Sequence, residues 1–496
     1  MLLVLLAVVV AFGGQGVRGL SDPDEGRYAE VAREMIVTGD YLHPQLDFHP
    51  HYTKPPLTYW AIVAGLKLLG PGEWGVRLFQ SVAYALTILL VALTGTVLWG
   101  RSTGIRAGGI YATFLLPFAA ANIVTTDTLL TFWEALALFA FFAGRRATTH
   151  RWVHPALMGA AFGLAFLTKG PPALLFLLAL VIWRSSPAGR REAGEGSSAR
   201  PASAPVFSAL GWVLLVAIGL GWFAWAVATT DGLLAYFLGD EVMGRIAGAH
   251  HRNAGWLGAV VVYPPVLLLG SLPWSATWPW ALRRWRSRVR WAAIPRERPV
   301  LWALLLLFLV PLIIFTLARS RLPLYVLPLF LPLALMTARG LDRPTPPGAD
   351  SPPRTRGWLV PWVLLLLALR LAYARWPGEK DARALAESLP VTEARQIVVA
   401  DGVRSVHGLA FYTGRDLLYA AWSNEKARRE GRPTVSEVLE ELRGASGPTP
   451  DGTIPMDLVL VKPDGLEDLQ RILSRAGLRV HRTIERKKLI ALLVGP

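Results

Sequence analysis

Long, nearly unbroken apolar runs decide most of what this chain can become. Stretches such as 74–99 and 302–317 have no polar face of the kind a surface helix keeps toward water. Runs of roughly 17–25 apolar residues match the hydrocarbon thickness of a bilayer. The composition agrees: 53% of the residues are hydrophobic and 17% charged. A soluble domain needs more polar surface than that to cover itself. The chain is therefore read as a polytopic α-helical membrane protein. It has no cysteine, which excludes disulfides, thiolate nucleophiles and cysteine metal sites.

Eleven spans are expected, at about 2–19, 75–99, 105–121, 128–144, 154–168, 171–184, 207–228, 257–281, 299–318, 322–338 and 358–375. With the N-terminus inside, the cytoplasmic loops 100–106, 145–151, 184–206, 283–298 and 339–356 hold twenty arginines. That is the asymmetry the positive-inside rule describes. It accounts for the net charge of +16 without nucleic acid. The first span lacks a basic n-region and a small-residue cleavage site, so it reads as a retained span rather than a cleaved signal. Segments 184–205 and 343–354 read as flexible linkers. The absence of an internal repeat speaks against a secondary transporter.

From about Trp376 charged residues become frequent, and the runs Ile397-Val398-Val399-Ala400 and Leu458-Val459-Leu460-Val461 alternate with helical patterns. The expected organisation is a membrane domain over 1–377 and a small extracytoplasmic α/β domain over 378–496.

The first external loop, 20–75, is too long and too patterned for a connector. Asp22-Pro23-Asp24-Glu25 reads as a helix start with Asp22 as cap. Tyr28, Val31, Ala32, Met35 and Ile36 then form one apolar face, ending at Gly39. A second helix is expected from Pro55 to about Leu69. Both read as interfacial helices at headgroup depth, where a lipid phosphate would sit.

Two motifs in this loop, Asp24-Glu25-Gly26-Arg27-Tyr28-Ala29-Glu30 and Tyr52-Thr53-Lys54-Pro55-Pro56-Leu57-Thr58-Tyr59-Trp60, resemble the paired signature of bacterial aminoarabinose lipid A transferases. Their wider family includes the protein O-mannosyltransferases. The resemblance continues in order through Thr126-Asp127-Thr128, Leu167-Thr168-Lys169-Gly170-Pro171 and Ser320-Arg321-Leu322-Pro323-Leu324-Tyr325-Val326-Leu327-Pro328. It implies a GT-C glycosyltransferase fold, a polyprenyl-phosphate (undecaprenyl-phosphate) sugar donor and inversion at the anomeric carbon. It implies a bacterial inner-membrane location, an active site on the periplasmic side, and lipid A or another envelope glycan or protein as acceptor. Asp24, Lys54 and Asp127 are carried over as catalytic positions. Arg27, Tyr28, Lys169, Arg321 and Tyr325 are carried over as donor- and phosphate-binding positions, with Glu25 and Tyr59 in support. Family members often have a glutamate before Lys-Pro-Pro, a position associated with a metal ion. Thr53 stands there instead, so no metal ligand is assigned and a divalent metal stays an open alternative. Arg321 replaces a common lysine, keeping the charge and changing its geometry.

All these motifs fall at the external ends of spans or in external loops of a topology drawn from the arginines alone. Charged residues at such depths are functional suspects. Departure of a lipid phosphate requires preorganised cations, a role that suits Lys54, Lys169, Arg321 and Arg27. A carboxylate serves as general base for a hydroxyl acceptor, whereas an ionised phosphate acceptor needs only positioning. The loop 229–256, with Asp240-Glu241, Arg245 and His250-His251-Arg252-Asn253, reads as solvated loop, substrate contact or metal site. Glu134, inside a span, receives no role. The alternatives are a transferase using another polyprenyl-linked hexose and a non-catalytic lipid transporter or flippase.

Overall fold

The computed structural model describes residues 1–147, 150, 152–192, 207–239, 256–280, 294–318, 320–341, 356–375, 378–403, 406–444, 455–486 and 488–496. The motif-bearing segment 240–255 and most of the two linkers expected at 184–205 and 343–354 lie outside these residues. The chain divides into two compact units, one of residues 1–15, 52–61 and 77–370, the other of 16–51, 62–76 and 371–496.

The first unit is helical. Among the described residues, Glu73–Trp99, Thr126–Gly144, Ala209–Thr229, Pro299–Leu317 and Pro323–Leu341 are long and apolar enough to cross a bilayer. At the expected span 358–375 stands the 20-residue helix Arg356–Arg375, with Pro361 inside it, and several of the other expected spans are shorter or broken. Leu2–Phe12 stops before the expected end at 19, and 105–121 divides at Phe114 into Arg101–Thr113 and Leu115–Ala120.

Small residues set the closest helix contacts. Gly159 and Gly163, spaced as in a small-xxx-small motif, put Val153–Lys169 against Ala209–Thr229. A Cβ at Gly159 would come within 2.0 Å of the Gly211 carbonyl oxygen. Apolar surface alone does not drive helices together in lipid, so this backbone approach and polar bonds do the work. Arg370 donates to the carbonyls of Val10, Gly13 and Phe118, and Asn122 donates to Gln15 at 2.6 Å. These bonds satisfy groups that would otherwise be costly at membrane depth.

The second unit is built on a five-stranded sheet of β3 (Ile397–Ala400), β4 (Leu417–Ala420), β5 (Asp457–Val461), β6 (Arg479–Arg486) and β7 (Leu489–Gly495). The strand order is β4-β3-β5-β7-β6. β3 runs parallel to β4 and β5, while β7 is antiparallel to β5 and β6. The expected helix within 465–476 is present as Leu466–Ala476. Period-two alternation splits the sheet's faces. Val398, Ala400, Val459 and Val461 pack with the helices Val435–Gly444 and Leu466–Ala476. Ile397, Val399, Leu458 and Leu460 pack with Leu385, Leu389, Leu409 and Ala410 on the other face. Both faces are covered, which explains why β3 and β5 are apolar throughout.

Part of the first loop belongs to this second unit. Its helix Asp24–Thr38 ends at Gly39, whose φ of +71° is the left-handed turn that glycine accommodates. The helix packs along His407–Thr413, and Tyr28, Val31, Ala32 and Met35 are buried. Asp22 does not cap it. The capping position is Pro23, and the Ser21 N–H bonds to Glu25 at 2.8 Å, as in the reciprocal half of a capping box. The following hairpin pairs β1 (Gln45–Leu46) with β2 (His49–Pro50). Its turn residues Asp47 and Phe48 both have positive φ, at 55° and 57°. Asn-Gly is the usual choice for such a turn. Here the buried Glu34 carboxylate compensates by accepting both turn N–H groups, at 2.8 and 2.9 Å.

Candidate active site

In the first unit, three of the expected residues converge. Asp127 sits in the first turn of Thr126–Gly144, where Thr125 caps the helix by accepting the Asp127 N–H. Lys169 is the last residue of Val153–Lys169. Gly170 follows with φ +75° and ψ −144°, a backbone conformation suited to glycine, and turns the chain into the 3-10 helix Pro171–Leu174. The Lys169 ammonium donates to the Asp127 carboxylate, with side-chain exposures of 10% and 8%. The same ammonium lies 4.6 Å from the centre of the Tyr325 ring, a cation–π contact. Tyr325 belongs to the 3-10 helix Pro323–Leu329, which packs on the Asp127 helix.

Arg321 precedes that element and is buried. It donates from Nε and Nη2 to the Thr316 carbonyl at 3.1 and 2.8 Å. Lys54 is half-buried and donates to the Thr53 carbonyl at 3.2 Å. Tyr52 packs on Trp222 and Phe237, and its hydroxyl meets Thr230 at 3.2 Å. Tyr59 is buried.

Two first-unit groups that received no role lie near the Lys169 cluster. Glu134 is 2% exposed, and its Oε2 has no hydrogen-bond partner among the described residues. It lies seven residues after Asp127, two turns deeper on the same helix face. It lines a cavity of about 10 Å³, room for one water, together with Tyr325 and otherwise apolar side chains. Tyr263, also buried, has a hydroxyl without a partner among the described residues. A lone carboxylate within a span signalled Glu134, whereas nothing local in the sequence marks Tyr263.

In the second unit, Asp24 and Arg27 form an i, i+3 pair at 3.0 Å, with exposures of 57% for Asp24 and 32% for Arg27. The Arg27 guanidinium lies 5.9 Å from the Tyr28 ring centre. Glu25 behaves differently from its neighbours. It is buried, and its Oε2 accepts from the Ser21 N–H and from Arg18 at 2.7 Å. It thus holds the loop together and points no lone pair of that oxygen at solvent.

Among the described residues no three His, Cys, Asp or Glu side chains converge as a metal-ligand set. What the first unit offers chemically is a buried ammonium held by one carboxylate and one aromatic face, with a second buried cation, Arg321, four residues from Tyr325. Such a cluster is suited to an anionic group entering from a lipid.

Residues 53–194 match the dolichyl-phosphate-mannose-protein mannosyltransferase family. An undecaprenyl phosphate-alpha-4-amino-4-deoxy-L-arabinose arabinosyl transferase of Pectobacterium carotovorum is 30% identical over 95% of this chain and 80% of its own length. The enzyme of the same name from Pseudomonas aeruginosa is 33% identical over 72% of this chain, and the match spans 62% of that relative's length. The crystal structure of ArnT from Cupriavidus metallidurans bound to undecaprenyl phosphate is similar with a TM-score of 0.76 at 22% identity, covering 99% of this chain and 97% of that one. Its apo state gives 0.73 at 20% identity over the same shares. The chain belongs to the undecaprenyl phosphate-alpha-4-amino-4-deoxy-L-arabinose arabinosyl transferase family, membrane glycosyltransferases of the GT-C fold.

Proposed function

We propose that this protein transfers 4-amino-4-deoxy-L-arabinose from an undecaprenyl-phosphate donor to lipid A or a related envelope acceptor. The reaction takes place at the periplasmic face of the bacterial inner membrane. The observation that carries the reading is the buried Lys169 ammonium, held between the Asp127 carboxylate and the Tyr325 ring in a helical membrane unit. A cation so placed needs no reorganisation when a phosphate arrives, which is what stabilises a leaving group economically.

The bond from the anomeric carbon to the donor phosphate oxygen breaks, and its electron pair stays on that oxygen. An acceptor oxygen forms the new bond from the opposite face, inverting the centre. Lys169 and Arg321 meet the charge that develops on the departing polyprenyl phosphate, and Lys54 is assigned to the same anion. Asp127 holds Lys169 until the phosphate takes over part of its hydrogen bonding. A hydroxyl acceptor would lose its proton to Asp24, whereas an ionised phosphate acceptor would be positioned by Asp24 without proton transfer.

The test is mass spectrometry of lipid A from cells with and without the protein, alongside transfer by the purified chain from undecaprenyl phosphate-4-amino-4-deoxy-L-arabinose. One aminopentose per acceptor is expected. An unchanged lipid A beside a newly modified protein or glycan would move the assignment to the wider transferase family. Donor binding without any transferred sugar would point to a transporter.

A further inference from the structure

The C-terminal domain carries none of the residues assigned to the chemistry, yet it grips the first-loop helix at both ends. At the N-terminal end, the Gly408 N–H donates to Asp22 Oδ1 at 3.1 Å, and the Asp22 N–H donates to the Lys380 carbonyl at 2.8 Å. Just upstream, the Ala382 N–H bonds to the Leu20 carbonyl at 2.9 Å, and the Leu20 N–H bonds to the Tyr412 hydroxyl at 2.9 Å. At the other end, Glu34 holds the left-handed turn at Asp47 and Phe48, and Asp47 meets His407 at 3.3 Å. Both grips therefore end on adjacent residues, His407 and Gly408.

Between the grips Arg33 donates to Asp416 at 3.2 Å, and the helix crosses the domain backbone at close range. A Cβ at Gly26 would lie 2.5 Å from the Gly408 nitrogen, and one at Gly408 would lie 2.3 Å from the Ala382 Cβ. Gly26 sits between Glu25 and Arg27, inside the motif that reads as catalytic. Its lack of a side chain is what the close crossing demands. Asp24 and Arg27, one turn apart on this helix, are held to each other by a solvent-exposed pair that cannot fix their position alone.

We propose that the C-terminal domain is a positioning device for the Asp24 helix, with Asp22, Gly26, His407 and Gly408 as its positioning residues. The inference rests on the reading that Asp24 and Arg27 take part in transfer. Displacing reacting groups by about 1 Å costs on the order of 10²-fold in rate. Loosening the grip should therefore lower kcat while leaving donor affinity, the task of Lys169 and Arg321, nearly intact.

The experiment uses the full chain in detergent, with undecaprenyl phosphate-4-amino-4-deoxy-L-arabinose as donor and lipid A as acceptor. Asp22→Ala and Gly408→Ala are expected to lower kcat by roughly 10- to 100-fold, with the donor KM changed by less than about twofold. Amide hydrogen exchange over residues 24–38 should accelerate in the same variants. Asp22→Asn keeps an oxygen for the Gly408 N–H and should restore both readouts to within about threefold of the parent protein. Parental kcat in Asp22→Ala overturns the proposal. So does an equal loss in Asp22→Asn with parental exchange rates, since Asp22 would then act through its charge. If either alanine variant does not fold, His407→Gln provides the milder test with the same expected kcat–KM split. Full activity in Asp24→Asn would instead remove the catalytic reading of the helix, whatever the grip variants do.

Discussion

The two ion pairs assigned to the chemistry are built in opposite ways. Lys169–Asp127 is desolvated, braced by an aromatic ring and anchored at two helix ends. Arg27–Asp24 lies open on the first turn of one helix. Burying a pair costs several kcal/mol of desolvation that only good geometry recovers, so losing one partner is expensive. An exposed pair contributes little to folding. In the proposed reaction the first pair is thus a fixed receptor, whose loss costs folding as well as transfer. The second is exposed enough to exchange partners, as its proposed role in transfer requires.

Lys169→Met should break this contrast hardest. Transfer should fall on the order of 10³-fold, and stability by about 3–5 kcal/mol, as Asp127 is left buried without its cation. Adding Asp127→Leu should restore most of the stability, measured by thermal melting, and none of the transfer.

Asp22 provides an intermediate case, a buried carboxyl group with no cation bonded to it among the described residues. Burial pushes it up to about 7, against the pull of the Gly408 N–H and of His407, while Glu25 and Asp24 raise it further. Glu34 is likewise pushed up to about 7, chiefly by burial. Between pH 4 and 7 the folded protein retains these protons while the unfolded chain releases them. Stability should therefore fall as pH rises through that window, by as much as ~4 kcal/mol from Asp22. Asp22→Asn should flatten the corresponding part of the melting-temperature profile.

Asp24→Asn should be the reverse of Lys169→Met. We expect kcat to fall roughly 10²-fold with stability unchanged within about 0.5 kcal/mol, read from kinetics and melting of the same sample. A modest effect of opposite sign is expected at Glu134. Replacing it with leucine removes a buried oxygen without a partner and should raise stability by about 1–3 kcal/mol.

The membrane helices and the ordered motifs were legible in the sequence, because apolar length and local spacing are written in consecutive residues. The distribution of arginines alone assigns Asp24, Lys54, Asp127, Lys169 and Arg321 to one side of the membrane, and in the fold Lys169 meets Asp127. What was hidden depends on distant partners. Glu25 reads as part of an acidic site but is committed to Arg18 and Ser21. Asp22 reads as a helix cap, yet its oxygen accepts from Gly408. The amphipathic face of 28–36 suggested a helix resting on lipid. Periodicity shows that such a face must be covered but not by what; the contact with the His407 helix comes from Gly26, on the opposite face. Arg370, with three carbonyls from two distant segments, left no local signature at all.

The bond between Asp22 and Gly408 joins residues 386 positions apart. At roughly 5–20 residues per second, a ribosome needs on the order of 20–80 s to supply the second partner after the first. For that interval the finished Asp24 helix has no Gly408 to dock on. Under the proposed positioning role, the schedule of synthesis itself holds activity back until residues 378–496 have folded.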